Sequence, residues 1–585
     1  MVMSDEETHI EYTQQAFLVV WGWFAEQIGL IEQLERVPLK QKRYYHKPQT
    51  KILEFLVAIL AGLKHLQDIS RAAHPLDQDQ AVATAWGQAA WADYSGVSRT
   101  LSQVSWTEAR QIASVLDQVS QPFLDAEVKR LREQGQRLRL DGDLTGLPVS
   151  NTSQTYPNAT FGHMDADIRL GYQAGVVSLD SPTYGRLWLS VAHHPGDTVS
   201  CTQAEALVLA AEARLGLRPW RRTDLLRQRL HAFEQQVALT RQRQELQAQA
   251  VQQAQDRLAE AEQQQQARQQ HLTELEQAYQ AHQRRERPTS QLAQARQRLH
   301  ASARRCHSRQ QAWQAAQRRW DKITVRLQQQ LGELNDLYQR LIRFEQENRA
   351  NPQPLEAEFC LDAGFGTYEN VALLIEMGYE LYTKPHSHHV VAFLKKQIDD
   401  QTGWTRVGAN AELVAWPNLS LKNCPYPLDV ALERFYTGKT RKHSALFHFG
   451  TDAVTQNLAG WFHQYNRRQF IEAGIKEGKQ VFYLHHLKVR SEPAIYLQEC
   501  GVVFAANFIR CAAHWLVDHA QLVDNALNVS KLGVKRQVQV AAHVSAQVIQ
   551  NSEGKLLKFS EHSAFAGQVL KIAAKDVSLV PNPKS

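Results

Sequence analysis

From about Arg222 to Arg349 the chain is dominated by Gln, Arg, Glu and Ala, with a single Pro and almost no Gly. No other stretch limits the fold so strongly, because this composition makes long helices and little else. Arg284-Arg285-Glu286-Arg287-Pro288-Thr289-Ser290 breaks the run near its middle, with Ser290 placed to cap a second helix. An antiparallel hairpin is expected over residues 216–350, each arm of about 60 residues reaching roughly 90 Å. Near its base an apolar seam should join Leu226, Leu230, Phe233 and Val237 to the region of Ile323, Leu327, Leu331, Leu334, Leu337 and Leu341. Between Val251 and Leu292 the seam thins, so the tip is expected to be marginally stable alone. Its arginines read first as a solvated face and only second as a nucleic-acid contact.

The hairpin interrupts a different pattern. Residues 1–132 read as helical, a small DNA-binding domain, with a basic, aromatic-studded loop from Lys40 to Lys47 that suits phosphates or a plain surface linker. The period then switches. Strands are expected at Arg137–Thr145, Gly171–Leu179 and Arg186–Ala192, and a helix from about Thr202 to Leu215. After the hairpin come a strand ending at Asp362, a helix over Tyr368–Met377 and a strand over Tyr379–Thr383. Three strands, a helix, then alternating strand and helix is the order of an α/β ribonuclease-H-like core. Its parts would be residues 133–215, 351–385 and 456–525. In that fold the first and fourth strands lie side by side, which would bring Asp143 and Asp362 together. A β-rich insertion is expected over 386–455, with Val390–Leu394 strand-like. Val481–Leu484 should form another core strand and Ala505–Leu516 a core helix, and residues 526–585 should form a mostly extended tail.

Asp143 and Asp362 each end a strand-like run. Tyr465, Arg468, Glu472 and Lys479, spaced by three, four and seven, share one face if their segment is helical. The bland reading is a solvated face of charge pairs. Two strand-end aspartates and a helical glutamate, however, form a set that can hold two divalent ions for in-line attack at phosphorus. Asp141, two residues before Asp143 on the same face, competes with it for the first position.

These residues resemble the bacterial DDE transposases of the insertion-sequence-four type. That group carries a Y-R-E-K signature with two, three and six intervening residues, which Tyr465, Arg468, Glu472 and Lys479 reproduce. A chance match of that kind occurs on the order of once in a few hundred chains of this length. Asp143-Leu144-Thr145 matches the family's D-x-T context, and Asp362-Ala363-Gly364-Phe365 its D-x-G-F pattern. The resemblance implies that Asp143, Asp362 and Glu472 are catalytic and bind two Mg²⁺ ions, with Mn²⁺ able to substitute. It implies that Tyr465, Arg468 and Lys479 contact DNA, and that a homodimer holds the transposon ends and joins them to target DNA. The long hairpin departs from the family's better-known members. Gly474 and Gly478 are expected to weaken the helix and leave Lys479 at a frayed end.

Other features narrow the classes. A formal charge of +6 permits nucleic-acid binding without requiring it. Six scattered cysteines with no C-x-x-C pair indicate neither a disulfide framework nor a cysteine zinc site, which fits a reducing cytoplasm. The apolar run Ile52–Leu63 is too short to span a bilayer, so no membrane partner is expected. His386-Ser387-His388-His389 has no partner ligand at a zinc spacing and reads as a surface loop, and His485-His486 reads as structural. Competing functions are an idle transposase-derived DNA-binding or scaffold protein, and a metal-dependent nuclease without strand transfer.

Overall fold

The computed structural model describes residues 9–41, 45–164, 167–523, 532–551, 554–563, 565–566 and 569–573. The chain divides into two compact units, Met1–Trp220 with Gln353–Ser585, and Arg221–Pro352.

The first unit is mixed α/β. Strand β1 (His9–Thr13) precedes the helices α1 (Ala16–Gln27), α2 (Leu30–Glu35), α3 (Pro48–Leu60), α4 (Asp68–Arg71), α5 (Gln80–Ala85), α6 (Tyr94–Gln103) and α7 (Trp106–Glu133). α1 is apolar all round and buried from Ala16 to Ala25, as a helix must be when it has no polar face to offer water. α7 starts at a reciprocal cap in which Ser105 and Glu108 satisfy each other's backbone N–H groups. These helices are not a separate body. The Phe24 ring of α1 packs in tilted contact 5.0 Å from Phe508 and 5.3 Å from Trp515 of the long helix α15 (Glu492–His519). In the basic loop, Lys42, Arg43 and Tyr44 lie outside the described residues.

A ten-stranded mixed sheet follows. β2 (Leu138–Pro148), β3 (Thr160–Met164), β4 (Asp167–Ser181) and β5 (Gly185–Pro195) are succeeded by α8 (Ala204–Leu215). Beyond the second unit come β6 (Ala357–Cys360), α11 (Tyr368–Glu376), β7 (Glu380–Thr383), α12 (His388–Lys395), β8 (Thr405–Arg406), β9 (Ala411–Leu419), β10 (Leu428–Thr437) and β11 (Thr440–Phe449); α9 and α10 belong to the second unit. The order is β3-β4-β2-β6-β7-β11-β10-β9-β8, with β5 also on β4. β2, β4 and β5 pair antiparallel, while β2, β6 and β7 run parallel, so the first and fourth of the expected core strands do adjoin.

Several expectations are corrected. The β-rich insertion is no independent layer, since β11 pairs with β7 and extends the central sheet. Val390–Leu394 is not a strand but lies in α12, where Val390 and Leu394, four apart, share the buried face. Val481–Leu484 forms no strand either. It is a turn-rich connection after α14 (Gln469–Gln480), with Val481, Phe482 and Leu484 buried and Tyr483 at φ 54°. A short apolar run reports burial, not conformation. Within the expected tail the described residues form α16 (Val534–Gln539) and the strands β13 (Ala546–Asn551), β14 (Gly554–Phe559) and β15 (Val569–Ala573), which join β1 and β12 (Ala520–Val523, expected in the core) in a second sheet ordered β1-β13-β14-β15-β12. Thus β1, unforeseen, pairs from His9↔Gln550 to Thr13↔Ala546.

Among the described residues one helical stretch, Glu492–Val517, is long and apolar enough to cross a membrane, yet 78% of that window is buried inside the structure, which marks it as a core helix.

The second unit is the expected hairpin, α9 (Thr223–Ala281) and α10 (Gln291–Arg349), each of 59 residues. Ser290 caps α10, its hydroxyl accepting the Ala293 N–H. The covered positions of α10 alternate by three and four through Leu327, Gln330, Leu334, Leu337, Leu341 and Phe344, a heptad seam that leaves Leu331 39% exposed and correspondingly outside it. The tip is better packed than its composition promised. Leu272, Leu292 and Ala295 form a small core with Leu275, Tyr279 and Leu299.

Candidate active site

The site forms where the sheet runs out. β6 ends at Cys360, paired with Asp141, whereas β2 continues to Pro148 with only β4 beside it. The open flank of β2 beyond Asp141 receives Asp143, the loop after β6 brings Asp362, and α14 brings Glu472. Asp362 is fixed by its own turn, its Oδ1 accepting the Gly364 N–H at 2.8 Å. Gly366 is required behind it: a Cβ there would lie 1.8 Å from the Lys384 carbonyl oxygen.

One guanidinium gathers the three acids. Arg468 donates to Asp143 Oδ2 at 2.8 Å and to Glu472 Oε1 at 2.6 Å, and lies 3.9 Å from Asp362 Oδ2. The carboxylates grade from covered to open, with side-chain exposures of 13% at Asp143, 34% at Asp362 and 56% at Glu472. Burial raises the Asp143 carboxyl to about 7 although Arg468 pulls it down, with Asp362 adding to the rise. Its carboxylate neighbours push the Arg468 guanidinium upward against the effect of burial, so it stays charged.

The four signature residues do not share one helix. α13 (Leu458–Asn466) ends after Tyr465, and α14 begins at Gln469. Between them the backbone tightens to i−3 bonds, Arg468 N–H to Tyr465 O at 3.1 Å and Ile471 N–H to Arg468 O at 3.0 Å. Tyr465 consequently points inward. It is 7% exposed in a core cluster with Cys360, Tyr382, Leu413 and Trp461, so its ring is not available to stack on an unpaired base. Lys479 lies two helical turns beyond Glu472, about 10 Å along the axis, and flanks the acids without joining them. Its helix does not fray, since α14 continues to Gln480. Gly474 and Gly478 are buried with Ile471 on its inner face, where a Cβ on Gly474 would come within 2.7 Å of the Trp188 ring.

Asp141 is not among the carboxylates that Arg468 contacts. It is 2% exposed, its Oδ1 3.9 Å from Arg139 Nε, and burial lifts its carboxyl to about 6. The neighbouring Arg139 is a positioning residue that the sequence reading missed. It donates to Glu358 at 2.9 Å, to Gln464 Oε1 at 2.9 Å and to the Gln464 carbonyl at 2.6 Å, tying the end of α13 to β2. Lys384, also missed, follows β7 and sits 5.2 Å from the Tyr465 ring centroid. Its position just past a strand end is the signal that marked Asp362; Asp143, expected at a strand tip, instead lies mid-strand in β2, which runs five residues further to Pro148 along β4.

Among the described residues, the ligand-type side chains that come close enough to hold a metal are not these three. They are Glu380, His448 and Asp452, whose ligand atoms all lie within 4.8 Å of one another. No family model matches this chain, and no curated protein matches it.

Proposed function

We propose that this chain is a DNA transposase of the DDE kind, cleaving transposon ends and joining their 3′-hydroxyls to target DNA. The observation that carries the reading is the convergence of Asp143, Asp362 and Glu472 on Arg468. Three acids from distant parts of the sequence are held around one positive charge at a partly open edge. The strand order β5-β4-β2-β6-β7, antiparallel then parallel, supports a ribonuclease-H-like core beneath them.

An all-oxygen donor set is the kind that takes Mg²⁺, with Mn²⁺ as substitute; Asp143, Asp362 and Glu472 would hold two such ions once the Arg468 fork that stands among them here gives way and the carboxylates draw together. When bound, the ions would activate the attacking oxygen and stabilise the leaving one. Asp143, the most covered acid, fixes the inner position, and Glu472, more than half exposed, faces incoming DNA. Arg468 keeps the carboxylates together and, once they are shared with metal, is placed to neutralise phosphate. Lys479 extends that positive strip along α14. Tyr465 acts as an anchor for the α13–α14 junction, not as a DNA contact. A homodimer on DNA completes the proposal.

The test uses purified protein, Mg²⁺ and a labelled duplex from the flanks of its own gene. Wild type should cut the ends and join them to target DNA, and Asp143→Asn, Asp362→Asn and Glu472→Gln should each abolish both steps while still binding. Binding without metal-dependent cutting in wild type would replace this reading with an idle DNA-binding protein.

A further inference from the structure

At the opposite end of the sheet from the acids lies another polar cluster. Glu380 opens β7 and pairs with Glu358, near the start of β6, whereas Asp362 follows the end of β6. His448 is near the end of β11, and Asp452 follows that strand. His448 is 0% exposed, and its Nε2 has no hydrogen-bond partner. A buried, unsatisfied ring nitrogen is unfavourable unless something occupies it.

The surroundings prepare that nitrogen to be a ligand. His448 Nδ1 pairs with Asp429 Oδ2 at 3.1 Å, the arrangement in which Nδ1 carries the proton and Nε2 presents its lone pair. Thr451 Oγ1 donates to Glu380 Oε1 at 2.8 Å, and Tyr382 OH donates to Asp452 Oδ2 at 2.9 Å, so both carboxylates are oriented from outside. Space is kept open as well. A Cβ on Gly450 would stand 2.6 Å from Glu380 Oε2 and 3.0 Å from His448 Nε2.

We propose that Glu380, His448 and Asp452 form a site for a divalent transition ion of the Zn²⁺ class, with water taking the fourth position. One imidazole nitrogen with two carboxylate oxygens favours such an ion over Mg²⁺ or Ca²⁺, which take oxygen alone. Arg137, whose Nη1 lies 3.2 Å from Asp452 Oδ2 and also bonds Glu380, balances the two carboxylates without an ion. Its side chain is 27% exposed and can turn outward as the ion enters. The bound ion would clamp the turn after β11 to the start of β7, the seam where the extra strands join the core. This proposal stands independently of the transposase reading.

The experiment starts from the full chain carrying Asp143→Asn, Asp362→Asn and Glu472→Gln, so that the acids around Arg468 cannot account for binding. After chelator treatment and dialysis against Zn²⁺ or Co²⁺, one equivalent should remain bound, Co²⁺ should show visible d–d absorption, and Zn²⁺ should raise the Tm. Adding His448→Gln should remove all three signals. Asp429→Asn should weaken binding about 10- to 100-fold by releasing the ring. Asp452→Asn changes the most exposed of the three ligands, so it supplies a folded variant even if His448→Gln fails to fold, and it should also lose the Co²⁺ spectrum. No bound equivalent in the starting protein, or an equivalent and spectrum unchanged by His448→Gln or Asp452→Asn, would overturn the proposal.

Discussion

Arg468 is where the chemistry of this site is concentrated, because one planar fork serves three carboxylates. Lysine keeps the charge but not the fork. Arg468→Lys should therefore leave the far-ultraviolet circular dichroism unchanged while lowering strand cleavage about 100-fold, and equal activity in the two proteins would remove the fork from the mechanism. A second residue gives a pH test away from the site. Glu54 is fully buried, accepts the Ala92 N–H at 2.9 Å, and burial lifts its carboxyl from 4.5 to about 9. A carboxyl with a raised folded pKa holds its proton more tightly in the folded state than in the unfolded one, so stability is lost as pH climbs from about 4.5 towards 9. Glu54→Gln should leave the Tm little changed at pH 5 and raise it at pH 8. A Tm difference independent of pH would show that Glu54 does not titrate in this way. Residue types were readable from sequence here, and directions were not. The same spacing that marked Tyr465 as a surface residue put it in the core, because the helix breaks between Asn466 and Gln469 and no residue in that stretch announces the break.

At the scale of elements, α14 works because it is thin on one side. Gly474 lies against Arg186 and Trp188, where any added side chain meets the ring, whereas a Cβ on Gly478 would sit at an ordinary 3.6 Å from Val502. Gly474→Val should destabilise the protein by about 2 kcal/mol or more and displace Glu472, reducing cleavage. Gly478→Ala should stabilise it by roughly 0.5–1 kcal/mol. Thermal melts of the two variants decide it, and similar effects at both positions would mean that helix propensity alone governs α14. Sequence reading took both glycines as weak points, since composition shows the missing side chain but not the neighbour that needs the space. The hairpin teaches the same lesson. Its existence, its break and its cap were legible from local composition, yet Leu331 was assigned to the seam because it is apolar, while the heptad passes through Gln330, whose Oε1 is buried without a partner. Gln330→Leu should raise the stability of the hairpin by about 1 kcal/mol and Leu331→Gln should change it little, as read from protection of its amides in hydrogen exchange. The opposite ranking would contradict the heptad.

For the whole molecule, the order of core strands was legible because each strand and helix carries its own period, even with a hairpin of two 59-residue helices inserted between them. The β-rich insertion was legible in kind but not in attachment, since pairing between β7 and β11 is a tertiary choice that no local pattern encodes. The insertion points of the hairpin lie together: the Leu355 N–H bonds the Arg218 carbonyl at 2.9 Å within the first unit. Replacing residues 221–352 by a short Gly-Ser linker should leave that unit folded with native-like near-ultraviolet circular dichroism, and an unfolded product would show that the hairpin is needed to form it. The second sheet was invisible in sequence for a simpler reason. β1 is five residues whose partners in β13 are the stretch Ala546–Asn551, almost the whole chain away. During synthesis at about 5–20 residues per second, that first strand leaves the ribosome roughly half a minute to two minutes before its partner exists. Until then its N–H and C=O edge is unpaired. The second sheet therefore joins the two far ends of the described chain, and its β1–β13 ladder is among the last pairings that synthesis permits.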